Sequence, residues 1–243
     1  MKQLIKAEYL KQKKTLTTKI PFIAPLIVLA MSYILTGGMF KAFAPGAWNW
    51  WYTLFLPGTL AIICNQIVSK DKKRKYHNIF TLSIAPEKIW IAKMIVCASY
   101  LFLANVIVCI GAISGGFLFG TYITVSANIV AAFVLTITYL WEIPLFMLLS
   151  AKFGMFASVS SSVVLAVIGT VLAPCKIWYV IFPSIPARAM CPILTVLPNG
   201  LPAEEGSRLI TETNLFPAVG ITVGLFLLLT FVSAKFFQNR EVK

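Results

Sequence analysis

Glu142 is the acidic residue placed deepest in an apolar stretch, within the sequence YLWEIPLF, and it is the strongest candidate for chemistry in the chain. An ionised carboxylate facing lipid is costly, so we expect Glu142 to face protein or water, or to be protonated. In one interpretation it contacts a substrate or responds to protons. In the other it forms a hydrogen bond that ties its helix to a neighbour beside Pro144. Both interpretations are open at this stage.

Nucleophilic and metal-binding residue types are sparse. The sequence has a single histidine, His77, which lies in a basic segment and is interpreted as a surface residue, and it lacks the GxxxxGK[ST], GxSxG and HExxH motifs. We therefore expect no metal site, no cofactor bound by this chain and no enzymatic activity of its own. ATP hydrolysis of the P-loop type would need a separate protein.

The cysteines do not form a metal-binding pattern either. Their number, five, is odd, which argues against a complete disulfide framework. Cys175 and Cys191 fall on the predicted outer side of the membrane, where a bridge between them is possible. The other three lie inside apolar segments and are interpreted as packing residues: Cys64, Cys97 and Cys109.

Composition shows what kind of structure must position these residues. Hydrophobic residues make up 59% of the chain, charged residues 12%, and the mean hydropathy is +0.86, whereas about a quarter of the residues of a globular protein are charged. A membrane helix needs about 20 apolar residues, and the apolar runs are continuous rather than alternating. The sequence predicts an all-α integral membrane protein, a single transmembrane domain over 1–243. Its six predicted helices lie at about 20–40, 48–69, 94–119, 128–150, 155–175 and 215–235.

The distribution of Lys and Arg predicts the orientation. If both termini are cytoplasmic, seventeen Lys and Arg residues lie inside and four lie outside, as the positive-inside rule requires. The net charge of +13 is thereby explained without nucleic acid, which we do not expect as a partner. The cluster at the membrane border is Lys70, Lys72, Lys73, Arg74 and Lys75.

Three other segments give more specific expectations. Residues 1–19 are either an interfacial helix on the inner leaflet or a solvated basic tail. The proline-rich stretch 176–214 is the outer loop, and its apolar first half favours a re-entrant or surface-lying segment. Glycines four residues apart favour close packing, against other spans or a second subunit. These glycine pairs are Gly111 and Gly115, Gly116 and Gly120, and Gly220 and Gly224.

Four segments together resemble the permease subunits of ABC exporters of the lantibiotic immunity or protection group. AEYLKQKKT is similar to the basic segment before the first span of that family, and WNWWYTLFLPG (48–58) to its tryptophan-rich start of span two. KDKKRKYHNIFTLSIAPEKIWIAK (70–93) resembles its connection between spans two and three, and IPARAMCPILTVLPNGLPAEEGS (185–207) its outer loop. The outer-loop motif is Arg188, Pro192, Pro198, Asn199 and Gly200.

The resemblance implies a function. Such a permease has six membrane helices, pairs with a second homologous permease, and is driven by a dimeric ATPase subunit that binds ATP and Mg²⁺. The complex removes a peptide antibiotic from the bacterial plasma membrane. Segment 70–93 would then be a cytoplasmic coupling helix that contacts the ATPase, through Tyr76, His77, Ile79, Phe80, Leu82 and Pro86.

Three alternatives remain beside this interpretation. The chain could belong to an exporter of another amphiphilic substrate, or be a membrane sensor or scaffold that transports nothing. A membrane enzyme is the third. For segment 70–93 itself, the alternative is a basic loop without a partner.

Overall fold

The structure is a computed structural model that describes residues 1–72, 85–204 and 206–239. Within these ranges it is helical, with no strand and one isolated bridge between Val196 and Pro202. A π-helical turn, Trp51–Phe55, joins α3 to α4. The α-helices are α1 (Lys2–Gln12), α2 (Leu16–Thr36), α3 (Phe43–Trp50), α4 (Leu56–Lys72), α5 (Pro86–Phe119), α6 (Val125–Tyr139), α7 (Glu142–Lys152), α8 (Met155–Leu172), α9 (Ser184–Leu194), α10 (Arg208–Thr211) and α11 (Leu215–Gln238).

The predicted all-helical membrane character is confirmed in these ranges. Five helices there are long and apolar enough to cross a membrane: α2, the continuous run Phe43–Asp71, α5, α8 and α11. Helices α6 and α7 make a sixth candidate if they are counted as one bent span. Each candidate coincides with one of the six apolar segments of the sequence.

The bend between α6 and α7 has a local cause. The two helices meet at 45°, and Pro144 lies in the first turn of α7. Proline has no N–H to donate to the carbonyl four residues earlier, here Leu140, and its ring clashes with that carbonyl. The helix therefore breaks at Leu140 and Trp141, and Glu142 begins the new helix.

The end of the bundle at which α1 lies carries the lysines of that helix. At the end that we call the basic end, α1 and the ends of α4 and α11 meet the start of α5. There the Trp90 ring stacks on Phe237 with centroids 4.4 Å apart, and its Nε1 donates to Ser233 Oγ at 3.2 Å. At the opposite end the amide of Lys41 donates to the carbonyl of Phe119 at 3.0 Å. Helices α1 and α11 both pack on α5, so they lie at the same end of the bundle.

Buried tryptophans of the WNWWY segment are held by polar partners in the bundle interior. Trp48 Nε1 donates to Asn128 Oδ1 at 2.7 Å, and Trp51 Nε1 to Asn105 Oδ1 at 2.8 Å. Asn105 Nδ2 in turn donates to Thr136 Oγ1 at 2.9 Å. Buried indole N–H groups need such partners, so these bonds fix α3 and the π-helical turn against α5 and α6.

The glycine pairs divide into two groups. A Cβ atom on Gly115 would lie 1.9 Å from the ring of Phe43, and one on Gly111 would lie 2.2 Å from Leu29. These glycines therefore allow α3 and α2 to pack closely on α5 within one chain. A Cβ atom on Gly220 or Gly224 would meet no atom within 4 Å.

Segment 176–214, which the sequence predicts to be the outer loop, contains a buried helix. Residues Ser184–Cys191 of α9 are buried, and the helix packs against α6 and α8. A Cβ atom on Gly169 of α8 would lie 2.3 Å from the carbonyl oxygen of Pro183, so the start of α9 directly contacts α8. The apolar first half of segment 176–214 is therefore packed against the bundle rather than extended as a free loop.

Candidate functional site

A buried ion cluster lies at the basic end, where α1, α4 and α5 meet. The side chain of Lys93 on α5 is only 1% exposed, and its Nζ donates to Glu8 Oε2 of α1 at 2.8 Å. It also donates to Asp71 Oδ2 at the end of α4. Two buried carboxylates thus share one buried ammonium, and the three charges come from three different helices.

Lys11 extends this cluster towards solvent. Its Nζ lies 2.6 Å from Glu8 Oε1 and 3.5 Å from Asp71 Oδ1. Burial alone would lower the pKa of Lys11, but the hydrogen bond and charge of Glu8, together with Asp71, raise it overall. Both amino groups of the cluster are therefore matched to carboxylate oxygens, which is the condition for a tolerable buried ion pair.

Lys70, which the sequence places at the membrane border, contacts the end of α1. Its Nζ donates to the carbonyl oxygen of Lys11 at 2.8 Å, to Gln12 Oε1 at 2.5 Å and to Thr15 Oγ1 at 3.1 Å. A cation at a helix C-terminus is favoured by the helix dipole and by the free carbonyls of the last turn. Lys70 therefore holds α1 against α4 by hydrogen bonds that are additional to those of the ion cluster.

The N-terminal segment forms a helix, but that helix is attached to the protein. Leu4 and Ile5 pack against the apolar core, and Glu8 and Gln12 are buried. Tyr9 packs edge-on against Tyr100 with ring centroids 5.6 Å apart. Residues Lys2–Gln12 are thus helical, and apolar residues of this helix contact the bundle.

Most of the predicted coupling residues lie outside the described residues: Tyr76, His77, Ile79, Phe80 and Leu82. The same holds for the border residues Lys73, Arg74 and Lys75, and the side chain of Lys72. Pro86 is described and occupies the first turn of α5. Proline is favoured there because its missing N–H would have no partner in the first turn.

Glu142 is buried in the bundle interior, as expected of a carboxyl group that avoids lipid. It is 2% exposed, and its Oε2 atom has no hydrogen-bond partner in the described part of the chain. One of the two sequence interpretations was a hydrogen bond from Glu142 to a neighbouring helix. The Oε2 atom does not form such a bond.

The outer-loop motif and the WNWWY segment contact each other. Asn49 Nδ2 donates to the carbonyl oxygen of Pro198 at 3.1 Å, and a Cβ atom on Gly200 would lie 3.1 Å from Asn49 Oδ1. Gly200 has φ +88°, a conformation that L residues rarely adopt. Asn199 Oδ1 closes the turn by accepting from the amide of Leu201 at 3.1 Å. Two segments that carry the family resemblance are thus neighbours in space.

Arg188 and Pro192 lie on the buried helix α9. Pro192 is inside the helix, so the carbonyl of Arg188, four residues earlier, has no amide partner there. The Arg188 side chain is buried and donates to three neutral oxygen atoms, which are described below. Cys175 and Cys191 are both free thiols, so the structure contains no bridge between them.

Glu8, Asp71 and Lys93 were not predicted as site residues. The sequence did contain a pattern that could have indicated them, namely single acidic residues within basic segments. Glu8 is the only acidic residue among the six lysines of the N-terminal segment, and Asp71 lies within the basic cluster. In the described ranges, no group of three or more His, Cys, Asp and Glu side chains could hold a metal ion.

Comparisons with protein-family models, curated proteins and solved structures found no match to this chain. The family resemblance therefore rests on the four sequence segments alone.

Proposed function

We propose that the chain is the membrane-spanning permease subunit of an ATP-driven ABC exporter in the bacterial plasma membrane. The exporter expels a lantibiotic or similar antimicrobial peptide and so gives immunity or resistance. A separate ATPase dimer binds ATP and Mg²⁺, and a second homologous permease completes the pathway. Both termini of the chain are cytoplasmic in this proposal.

One observation carries the proposal: the buried ion cluster connects the two ends of the predicted coupling segment 70–93. Asp71 lies near the start of this segment and Lys93 is its last residue, and Lys93 forms an ion pair with Asp71. Glu8 joins α1 to the same ammonium at 2.8 Å. The helices on either side of the segment are thereby linked directly to each other.

This linkage suits a transmission element. An ATPase below the membrane can move the permease only if force on the connecting segment reaches the spans without being lost in a flexible joint. Removing one member of a buried ion pair costs about 3–5 kcal/mol, so the joint at Lys93 resists separation of α4 from α5. Motion of the coupling segment 70–93 would then move α1, α4 and α5 together.

The coupling residues can be tested by co-purification. In the proposal Phe80 inserts its ring into a cleft of the ATPase, so Phe80→Asp should abolish co-purification of the ATPase while membrane insertion is unchanged. Phe80→Leu keeps an apolar side chain and should retain most of the association. Unchanged ATPase recovery with Phe80→Asp would contradict the coupling role.

The transported substrate needs a separate experiment. Deletion of the chain from a strain shown to express it should raise susceptibility to at least one member of a panel of lantibiotics, and expression in trans should restore resistance. Unchanged susceptibility across the panel, with ATPase association intact, would favour an exporter of another amphiphile. If susceptibility is unchanged and the chain also fails to associate with an ATPase, the sensor or scaffold interpretation is favoured.

A further inference from the structure

A cavity of about 950 Å³ opens at the end of the bundle opposite the ion cluster. It lies between the residues that follow α8, the buried helix α9, helix α10 and the first turns of α11. Its volume is in the range of cavities that hold small molecules. The lining residues used below are Lys176, Trp178, Arg188, Arg208, Ala218 and Ile221.

Arg188 in this cavity is a buried cation with only neutral partners. Its Nε donates to Thr213 Oγ1 at 2.7 Å, its Nη1 to the carbonyl of Ala173 at 3.2 Å and its Nη2 to the carbonyl of Arg208 at 3.0 Å. No carboxylate lies within ion-pair distance of it among the described residues. A guanidinium has five N–H donors, so two remain for another acceptor.

The guanidinium is held in a fixed position for such an acceptor. Trp178 is buried, and the Arg188 Cζ atom lies 5.6 Å from the centre of its ring. Ser184 Oγ donates to the Trp178 carbonyl at 2.6 Å and so fixes the backbone beneath that ring. Burial lowers the pKa of Arg188, yet a guanidinium stays charged at neutral pH. A buried charge of this kind is unfavourable unless an anion completes its surroundings.

The other charges around the cavity also favour an anion. Lys176 and Arg208 line it and are exposed, while Glu212 is the acidic residue in the lining. The lining thus carries three cationic groups and one carboxylate. A cationic peptide would be repelled here, so this cavity is distinct from the route of the substrate proposed above.

The apolar surroundings decide between a soluble anion and a lipid. Trp178, Ala218 and Ile221 form one wall of the cavity. Beside it, large apolar side chains are exposed: Ile177 by 58%, Val180 by 59% and Phe216 by 90%. A charged cavity whose rim is apolar accepts a molecule with an anionic group at one end and hydrocarbon at the other.

We propose that this cavity binds a membrane lipid with an anionic phosphate headgroup. The phosphate accepts hydrogen bonds from the Arg188 guanidinium, and Arg208 and Lys176 lie at the mouth beside it. The acyl chains lie along Trp178, Ile221 and the exposed apolar rim. Arginine suits this role because its two parallel donors match the oxygens of a phosphate. The proposal does not depend on what the chain transports.

Native mass spectrometry of the full-length chain in neutral detergent tests the site. Phosphatidylglycerol should bind at least about tenfold more tightly than phosphatidylcholine with the same acyl chains, since one charge-assisted hydrogen bond amounts to roughly that factor. Because Arg208 is exposed, the Arg208→Gln variant should fold. Its affinity for phosphatidylglycerol should be about tenfold lower than that of the parent chain. Arg188→Lys keeps the charge but loses the paired donors, and should also weaken binding.

The matched control is Lys41→Gln, which removes one exposed positive charge at the same end of the bundle but outside the cavity. It should leave phosphatidylglycerol affinity unchanged. Equal affinity for the two lipids would overturn the proposal, as would equal losses in Arg208→Gln and Lys41→Gln. Complete displacement of the lipid by about 1 mM inorganic phosphate, a concentration that corresponds to weak binding, would also overturn it and would indicate a site for soluble anions.

Discussion

Lys93 Nζ donates to Glu8 Oε2 at 2.8 Å across 85 residues of sequence. The bond joins the first helix of the chain to the start of the longest one, and Asp71 shares the same ammonium. Each of the three groups is buried, so none can exchange its partner for water without opening the basic end. The position of α1 is therefore linked to that of α4 and α5.

Replacing Lys93 by methionine should destabilise the protein strongly. Lys93→Met retains most of the side-chain volume but leaves the buried carboxylates of Glu8 and Asp71 with only the partly exposed Lys11 as a cation. Loss of the buried cation should cost about 3–5 kcal/mol. The melting temperature in detergent measures the loss. Lys88 is exposed on the same helix, so Lys88→Met is the matched control and should change stability by less than about 0.5 kcal/mol. Equal effects of the two changes would contradict the role given to the cluster.

The glycines of α5 and α11 should respond differently to enlargement. Gly115→Val places a side chain where Phe43 packs, and overpacking of this kind costs about 1–3 kcal/mol or more. Gly224→Val adds the same atoms to open space and should leave the thermal stability of the isolated chain nearly unchanged. Thermal unfolding of the two variants in detergent makes the comparison. A larger loss for Gly224→Val would show that α11 packs differently.

The spans could be predicted because membrane crossing depends on local composition. A helix that crosses the bilayer needs about 20 apolar residues wherever they occur, so counting charge-free runs located each candidate. The bend at Pro144 has an equally local cause, since proline acts on the carbonyl four residues before it.

The ion cluster and the burial of α9 could not be predicted in this way. Glu8, Asp71 and Lys93 form a site only after α1, α4 and α5 have packed, and nothing in the spacing of these residues specifies that packing. The apolar segment before Leu194 has the same composition whether it lies on the membrane surface or inside the protein. The neighbours α6 and α8 decide that question, and they are distant in sequence.

The cysteines should report both topology and burial. Cys175 is free and half-exposed at the opposite end of the bundle, so a membrane-impermeant maleimide should label it in intact cells if that end is outside. Burial raises the pKa of Cys191 to about 11, although Arg188 acts in the other direction. Because the thiolate is the reactive form, Cys191 should remain unlabelled at neutral pH.

Two variants control the labelling. Cys175→Ser should abolish the signal in intact cells, since the remaining cysteines are buried. Lys152 is exposed in the loop predicted to be cytoplasmic, so Lys152→Cys in that background should be labelled only after the cells are permeabilised. Labelling of the introduced cysteine in intact cells would reverse the predicted orientation.

Glu142 should be dispensable for folding but required for transport. Its Oε2 atom is buried without a partner, and an unsatisfied buried polar group costs about 1–3 kcal/mol. Glu142→Leu removes that cost, so the free energy of unfolding should rise by about 1 kcal/mol or stay constant. Glu142→Gln has nearly the same shape and should melt like the parent chain.

Under the proposed function, resistance to a lantibiotic gives the second readout for these variants. If the carboxyl group contacts substrate or exchanges a proton during transport, both substitutions abolish resistance while the protein remains folded and in the membrane. Glu87→Gln removes a carboxylate that lies outside the bundle interior, 4.0 Å from Lys235, and should retain resistance. A lower melting temperature in both Glu142 variants would indicate a structural role instead. Full resistance in both would exclude a role in transport, because the carboxyl group is the only feature that both changes remove.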